Sequence, residues 1–136
     1  MTTENKRRVV ITGLGTVNPT GSTAAASWSA VKAGRCAVGP ITAFDTANCK
    51  VKLAAEVKDF DPDVRLDRRE ARKMARFTQF AVAAADEAVK DSGIDLESID
   101  RTRFGVILSS GIGGLPTIEE EHIRGMQKGF ERVSPY

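Results

Sequence analysis

Residues Phe104 to Leu115 read FGVILSSGIGGL, an apolar run that stops in serine and glycine and passes into the helix-like PTIEEEHIRGMQK. A buried strand that feeds a glycine turn and then a helix is how α/β proteins build a ligand-facing edge. A second segment of this kind, RRVVITGLGTVNPTG, spans Arg7 to Gly21. Its β-branched Val9, Val10 and Ile11 predict a strand with a glycine-rich exit. Ser22 or Thr23 is then placed to cap a helix from Ser22 to Val31 that carries Ala26 and Trp28, followed by Lys32 and a glycine stop at Ala33-Gly34. Two strand-glycine-helix units predict an α/β fold with a parallel sheet. Both strands are apolar on successive residues, as expected of strands covered on both faces.

The chain has 136 residues, the length of one ordinary domain, with 41% hydrophobic and 28% charged residues. A net charge of +2 gives no support to a nucleic-acid partner. The N-terminus MTTENKRRVV is basic but lacks the apolar core and small-residue cleavage site of a leader, and no apolar run approaches a bilayer span. A cytoplasmic protein without membrane or nucleic-acid partners is expected.

Between the two glycine segments the pattern is less uniform. VKLAAEV, Val51 to Val57, predicts a short strand or hairpin arm, and Asp59-Phe60-Asp61-Pro62 predicts a turn. From about Asp67 to Asp91, Met74, Phe77, Phe80, Ala81, Ala84, Ala85 and Ala88 recur at helical steps, and Ser92-Gly93 ends the pattern. On one continuous helix Arg69, Arg72, Lys73 and Arg76 would share a face. Alanine patches at Ala24 to Ala26 and Ala83 to Ala85 permit close packing.

Several features tempt a chemical reading and do not sustain it. Cys36 and Cys49 form no CxxC pair, and the single histidine, His122, is remote in sequence, so plain structural thiols are expected rather than a zinc site or disulfide framework. Glu119, Glu120 and Glu121 follow Pro116 in the last helix. Consecutive helical positions point in different directions, so a solvated face is expected and no metal site. His122 reads as a surface or packing residue. GLGTVNPTG and SSGIGGL match neither GxGxxG nor GxxxxGK[ST]. Their glycines are expected to let backbone turn and pack closely, with no nucleotide or other cofactor.

RRVVITGLGTVNPTG, SWSAVKAG, Phe44-Asp45, VKDFDP, RREARKMARFTQFA, AVKDSGI and SSGIGGLPTIEEEH occur together in this order. The combination resembles the N-terminal part of the β-ketoacyl-acyl-carrier-protein synthase II family, condensing enzymes of fatty-acid synthesis. The resemblance runs through essentially the whole chain. It implies a thiolase-like fold, in which two related α/β halves pack as five alternating layers (α-β-α-β-α) in a homodimer. This chain would form an incomplete N-terminal portion of it, with residues 1–136 belonging to the synthase N-terminal domain. Family members hold an acyl group as a thioester on a cysteine and join it to malonyl-carrier protein. Decarboxylation supplies the carbanion, and two histidines assist. A thiolate is both a good nucleophile and a good leaving group, and imidazoles stabilise the enolate oxygen.

The family's nucleophile lies in a TACTS-like elbow, and its two histidines come later. None of these motifs occurs in this sequence, whose last residues are Val133-Ser134-Pro135-Tyr136. Cys36, Cys49 and His122 match none of the three, so no catalytic residue is assigned, and no condensing activity is expected of this chain by itself. The resemblance does imply roles at the periphery. Ile112 matches the residue that gates the acyl pocket near the dimer interface, a stiff β-branched wall between flexible glycines. Arg69, Arg72 and Lys73 match positions that receive the acidic carrier protein and its phosphopantetheine phosphate. A positive face suits that partner, steering association in a salt-sensitive way. Other readings remain open at this stage, namely a noncatalytic carrier-binding or dimerisation module, or a piece of a polyketide ketosynthase.

Overall fold

Helix α4, Arg76–Ser92, is the spine of the computed structural model, which describes residues 7–134. The start of the basic N-terminal segment and the final Pro135-Tyr136 lie outside the described residues. Around α4 are helices α1 (Ala24–Lys32), α2 (Pro62–Arg65), α3 (Arg68–Ala71) and α5 (Leu115–Lys128), with strands β1 (Val38–Pro40) and β2 (Leu53–Ala55). Short 3-10 turns occupy Arg101–Arg103 and Phe130–Arg132.

Local chemistry accounts for most of these boundaries. Thr23 caps α1, its hydroxyl accepting from the Ala26 N–H, and Gly34 follows the helix at φ +64°. Gly93 closes α4 in the same left-handed conformation. In place of the turn expected over Asp59 to Pro62 the chain bends at Asp59, and Asp61 caps α2, whose first residue is Pro62. The strand expected at Val51 to Val57 shortens to β2, paired antiparallel with β1 in the register Val38↔Ala55, Gly39↔Ala54, Pro40↔Leu53. α5 opens on Leu115-Pro116 and ends at Gly129.

The glycine exit of the first apolar segment is a packing device. A Cβ on Gly13 would strike the Ala88 carbonyl and lie 2.8 Å from the Ser92 Cβ; one on Gly15 would strike the Ala84 carbonyl and lie 2.7 Å from the Ala88 nitrogen. Bare backbone therefore lies directly on the alanine face of α4. Two acids on that same face receive it: Leu14 N–H donates to the Asp91 carboxylate (2.8 Å) and Thr16 N–H to Glu87 (3.1 Å). Asn18 then closes a turn with Gly21 through paired backbone bonds of 3.0 and 3.1 Å, and its amide donates to Ser27 Oγ (2.8 Å).

The expected parallel pairing is not present among the described residues, whose only ladder is β1–β2. Val9 to Ile11 and Val106 to Leu108 have no partner strand there, and Val9 and Ile107 are 92% and 98% exposed. An apolar run is disposed to be a strand, but its ladder must come from another segment. The buried apolar residues among those described are Ala30, Phe60, Ala71 and Ala83, a thin interior of mostly small side chains.

Glu56, just after β2, anchors the loop that joins β1 to β2. Its carboxylate accepts from the Thr42 N–H (2.9 and 3.1 Å), the Thr42 hydroxyl (2.8 Å) and the Ala43 N–H (3.0 Å), with Lys58 at 3.6 Å. The Thr42 backbone bond above all, then its hydroxyl, holds the carboxyl below its ordinary pKa; the Ala43 bond and Lys58 act in the same direction. A depressed carboxylate stabilises the fold above its unfolded pKa, and this contribution is lost as pH falls through the folded value. We expect the Thr42 and Ala43 amides to keep their protection relative to unfolded chain at neutral pH and to lose it in acid, as the carboxyl is protonated below the ordinary glutamate range. NMR titration checks this, and Glu56→Gln should remove the pH step. Unchanged protection in the variant would show that Glu56 does not hold the loop.

Candidate functional site

The basic segment is built around a break. Asp67 caps α3, its carboxylate accepting from the N–H groups of Arg69 (2.9 Å) and Glu70 (3.0 Å). α3 ends at Ala71, and α4 starts only at Arg76, so the single helix expected from Asp67 to Asp91 is interrupted over Arg72 to Ala75. Ala75 is extended, at φ −61° and ψ 155°. The Gln79 amide reaches back across the break to the carbonyls of Ala71 (2.9 Å), which also accepts from the Met74 N–H (3.2 Å), and of Met74 (3.4 Å).

The break redistributes the cations. Arg69, Arg72, Lys73 and Arg76 do not form one helical stripe. Arg76 lies over the rings of Phe60 and Phe80, at 4.9 and 4.8 Å from their centroids, and donates to the Phe60 carbonyl at 3.0 Å. Those rings meet edge-on at 5.1 Å. Arg76 thus serves the packing of α4. Arg69 and Arg72 are exposed, while Lys73 pairs with Glu70 at 2.8 Å.

The second glycine segment comes to the same place. Gly113 is at φ +88°, its N–H donating to Ser110 Oγ (3.0 Å), and Ile112 beside it is 72% exposed. Gly114 caps α5 without a side-chain bond. A Cβ there would lie 2.9 Å from the Ala75 Cβ, 3.3 Å from Thr117 Oγ1 and 3.5 Å from the Phe77 ring. The GIGG turn therefore rests on the extended residue of the basic turn. Two adjoining clefts share Ala75 and Thr117. One, of about 420 Å³, is lined by Arg72, Lys73 and Arg124 with Glu120 and Glu121; the other, of about 280 Å³, is lined by Phe77, Phe80, Gly113 and Pro116. The structure thus brings together the two features that sequence reading singled out separately.

The remaining candidates fall elsewhere. Cys36 and Cys49 are free and exposed. Of the three glutamates, Glu119 and Glu120 are exposed, but Glu121 is half-buried, pairing with Arg124 at 2.9 Å and accepting from the Ser134 N–H at 2.7 Å. The solvated reading therefore fails for Glu121, because α5 turns it toward the C-terminal segment. His122 is exposed, its ring 6.4 Å from that of Phe130. Sequence reading also missed Glu87 and Asp91, whose signal was their helical spacing with Ala84 and Ala88.

Residues 6–135 match the family model of the β-ketoacyl synthase N-terminal domain. The chain is 44% identical over 131 residues to the 3-oxoacyl-[acyl-carrier-protein] synthase 2 of Coxiella burnetii, covering 96% of this chain and 32% of that protein. It spans about a third of the length of the curated relatives it matches. Among solved structures, the ishigamide ketosynthase/chain length factor superposes with a TM-score of 0.79 at 33% identity, over 95% of this chain and 32% of that one. A type II polyketide ketosynthase in complex with its acyl-carrier protein, AntDE:AntF, superposes at 0.75 with 26% identity, over 96% and 34%. The thiolase-like α/β fold class expected from sequence is thus that of its structural neighbours. The chain belongs to the β-ketoacyl synthase family, matching its N-terminal domain.

Proposed function

We propose that this chain is the opening segment of the N-terminal domain of a 3-oxoacyl-acyl-carrier-protein synthase, in which it supplies carrier docking and one wall of the acyl pocket. The whole enzyme condenses an acyl thioester with malonyl-carrier protein by decarboxylative Claisen chemistry in fatty-acid elongation. Its nucleophile and histidines come from outside these residues. The observation that carries the reading is the seating of Gly114 on Ala75, which sets the Ile112 turn against the segment that carries Arg72 and Lys73, directly after α3 with its exposed Arg69. An exposed cationic turn suits an acidic carrier, and an exposed isoleucine between glycines suits a pocket wall completed by another part of the homodimer. Among the described residues no helix is long and apolar enough to cross a membrane, and the reading places the enzyme in the cytoplasm.

The test uses the full-length synthase. Arg69→Glu with Arg72→Glu should raise the carrier-protein KM about tenfold and flatten its salt dependence, with kcat nearly unchanged. Ile112→Phe should shorten the preferred acyl chain. A carrier KM unmoved by charge reversal would return the basic turn to an ordinary solvated surface, and unchanged chain preference would remove the gate.

A polyketide ketosynthase is the second reading, favoured by the likeness to a ketosynthase/chain length factor and to a type II polyketide ketosynthase. Product analysis with saturated acyl-carrier and with poly-β-ketoacyl-carrier substrates separates the two.

A further inference from the structure

Ala75 and Gly114 are not themselves positioned to bind anything. Ala75 is small and half-buried, and Gly114 has no side chain. Yet it is here that the cationic turn and the isoleucine turn meet, the Ala75 Cβ being the nearest neighbour that a Cβ on Gly114 would find. Three observations make this contact stiff on one side and pliant on the other. The Arg72 to Ala75 turn is bridged by the Gln79 amide, with Arg76 lying over the rings of Phe60 and Phe80 just after it. The isoleucine turn has Gly111, Gly113 and Gly114 around Ile112, with a single hydroxyl bond, Ser110 to Gly113, across it. A Cβ on Gly114 would lie 2.9 Å from that of Ala75, a spacing at which one of the two backbones must shift. A displacement of the stiff turn is therefore passed to the pliant one, because packed contacts of this kind do not compress.

We propose that Ala75 and Gly114 are positioning residues that couple occupancy of the cationic docking turn to the setting of the Ile112 wall, so that acyl-chain selectivity depends on how the carrier is docked. The inference rests on the functional reading above. It adds that docking and gating form one mechanical unit within this segment. A load that draws Arg72 and Lys73 toward an acidic partner moves Ala75, Gly114 follows, and Ile112 is reset through Gly113. The shared walls of the two clefts, Ala75 and Thr117, are where such a movement changes both volumes at once.

The test again uses the full-length synthase, with acyl-carrier substrates of graded chain length. Gly114→Ala should change the chain-length preference and also raise the carrier KM about fivefold, although Gly114 carries no charge. Removing the opposing methyl in Ala75→Gly/Gly114→Ala should restore both parameters to within about twofold of the parent. Recovery of one parameter without the other, or a Gly114→Ala enzyme with shifted selectivity and unchanged carrier KM, would overturn the coupling. If Gly114→Ala fails to fold, Ala75→Gly alone decides. It opens the contact, so reversing the charge of Arg72 in that background should raise the carrier KM without altering chain preference, whereas in the parent the same reversal alters both. An equal change of preference in both backgrounds would overturn the proposal. Arg69→Glu, Arg72→Glu and Ile112→Phe in the parent test docking and gating themselves, so failure of the coupling is distinct from failure of the underlying reading.

Discussion

Replacing Gly15 with valine should cost at least about 3 kcal/mol of stability, the upper range for forcing a side chain into a filled space. A Cβ at this position would strike the Ala84 carbonyl and come within 2.7 Å of the Ala88 nitrogen, so the obstacle is helix backbone rather than a side chain that can rotate away. The segment would have to lift off α4. Lifting it also withdraws the Leu14 and Thr16 N–H groups from the carboxylates of Asp91 and Glu87, stranding donors and acceptors together. Gly39 provides the control. It lies in β1, where an added methyl group would meet nothing within 4 Å, so Gly39→Ala should change stability by less than about 0.5 kcal/mol. Urea midpoints of the two variants against the parent check the contrast. Equal midpoints for Gly15→Val and Gly39→Ala would mean that the glycine segment does not rest on α4.

The same contact shows what was legible in the sequence and what was not. Gly13, Gly15, Ala84 and Ala88 announce themselves by size. Small residues on a helix beside a glycine segment leave close approach as the economical packing, and the structure adopts it. Caps and stops were also readable: Thr23, Gly34, Gly93 and Pro116 act through backbone geometry that each residue type largely determines. The break after Ala71 was not readable, because Met74, Phe77 and Phe80 preserve a helical apolar rhythm straight across it. What holds the break is Gln79 bonding back to Ala71 and Arg76 settling on Phe60, partners that spacing within the helix does not reveal. Apolar Val9 to Ile11 and Val106 to Leu108 declared their tendency to form strands, whereas their ladders depend on other segments. For the candidate site, sequence and resemblance singled out Ile112, Arg69, Arg72 and Lys73 one by one; the meeting of Gly114 with Ala75 arises only in the folded chain.

Glu87→Ala should be comparably severe, destabilising by about 3 kcal/mol, because this one carboxylate serves three elements. One oxygen accepts from the Thr16 N–H at 3.1 Å, the other from the Ala24 N–H at 2.9 Å, and the Arg65 guanidinium lies at 4.0 Å. Ala24 is the first residue of α1, and α1 has no acidic residue in its own first turn. Glu87 therefore supplies from α4 the negative charge that a helix N-terminus favours. Arg65 adds α2 to the clamp, donating to the carbonyls of Ser22 (2.7 Å) and Ala83 (3.2 Å). Side-chain exposures of 20% for Glu87 and 22% for Arg65 leave water little access to replace a lost partner. Truncating Glu87 would leave two N–H groups without their acceptor and a half-buried guanidinium without its counter-charge. Glu87→Gln separates these effects. It keeps one carbonyl acceptor and presents an NH2 group to the other N–H, so about half the loss should persist. Arg65→Met removes the counter-charge together with the bonds to Ser22 and Ala83, and combining it with Glu87→Ala should cost clearly less than the sum of the single losses. Strict additivity in urea melts would show that Arg65 and Glu87 act separately, leaving Glu87 as a cap for α1 and an acceptor for Thr16.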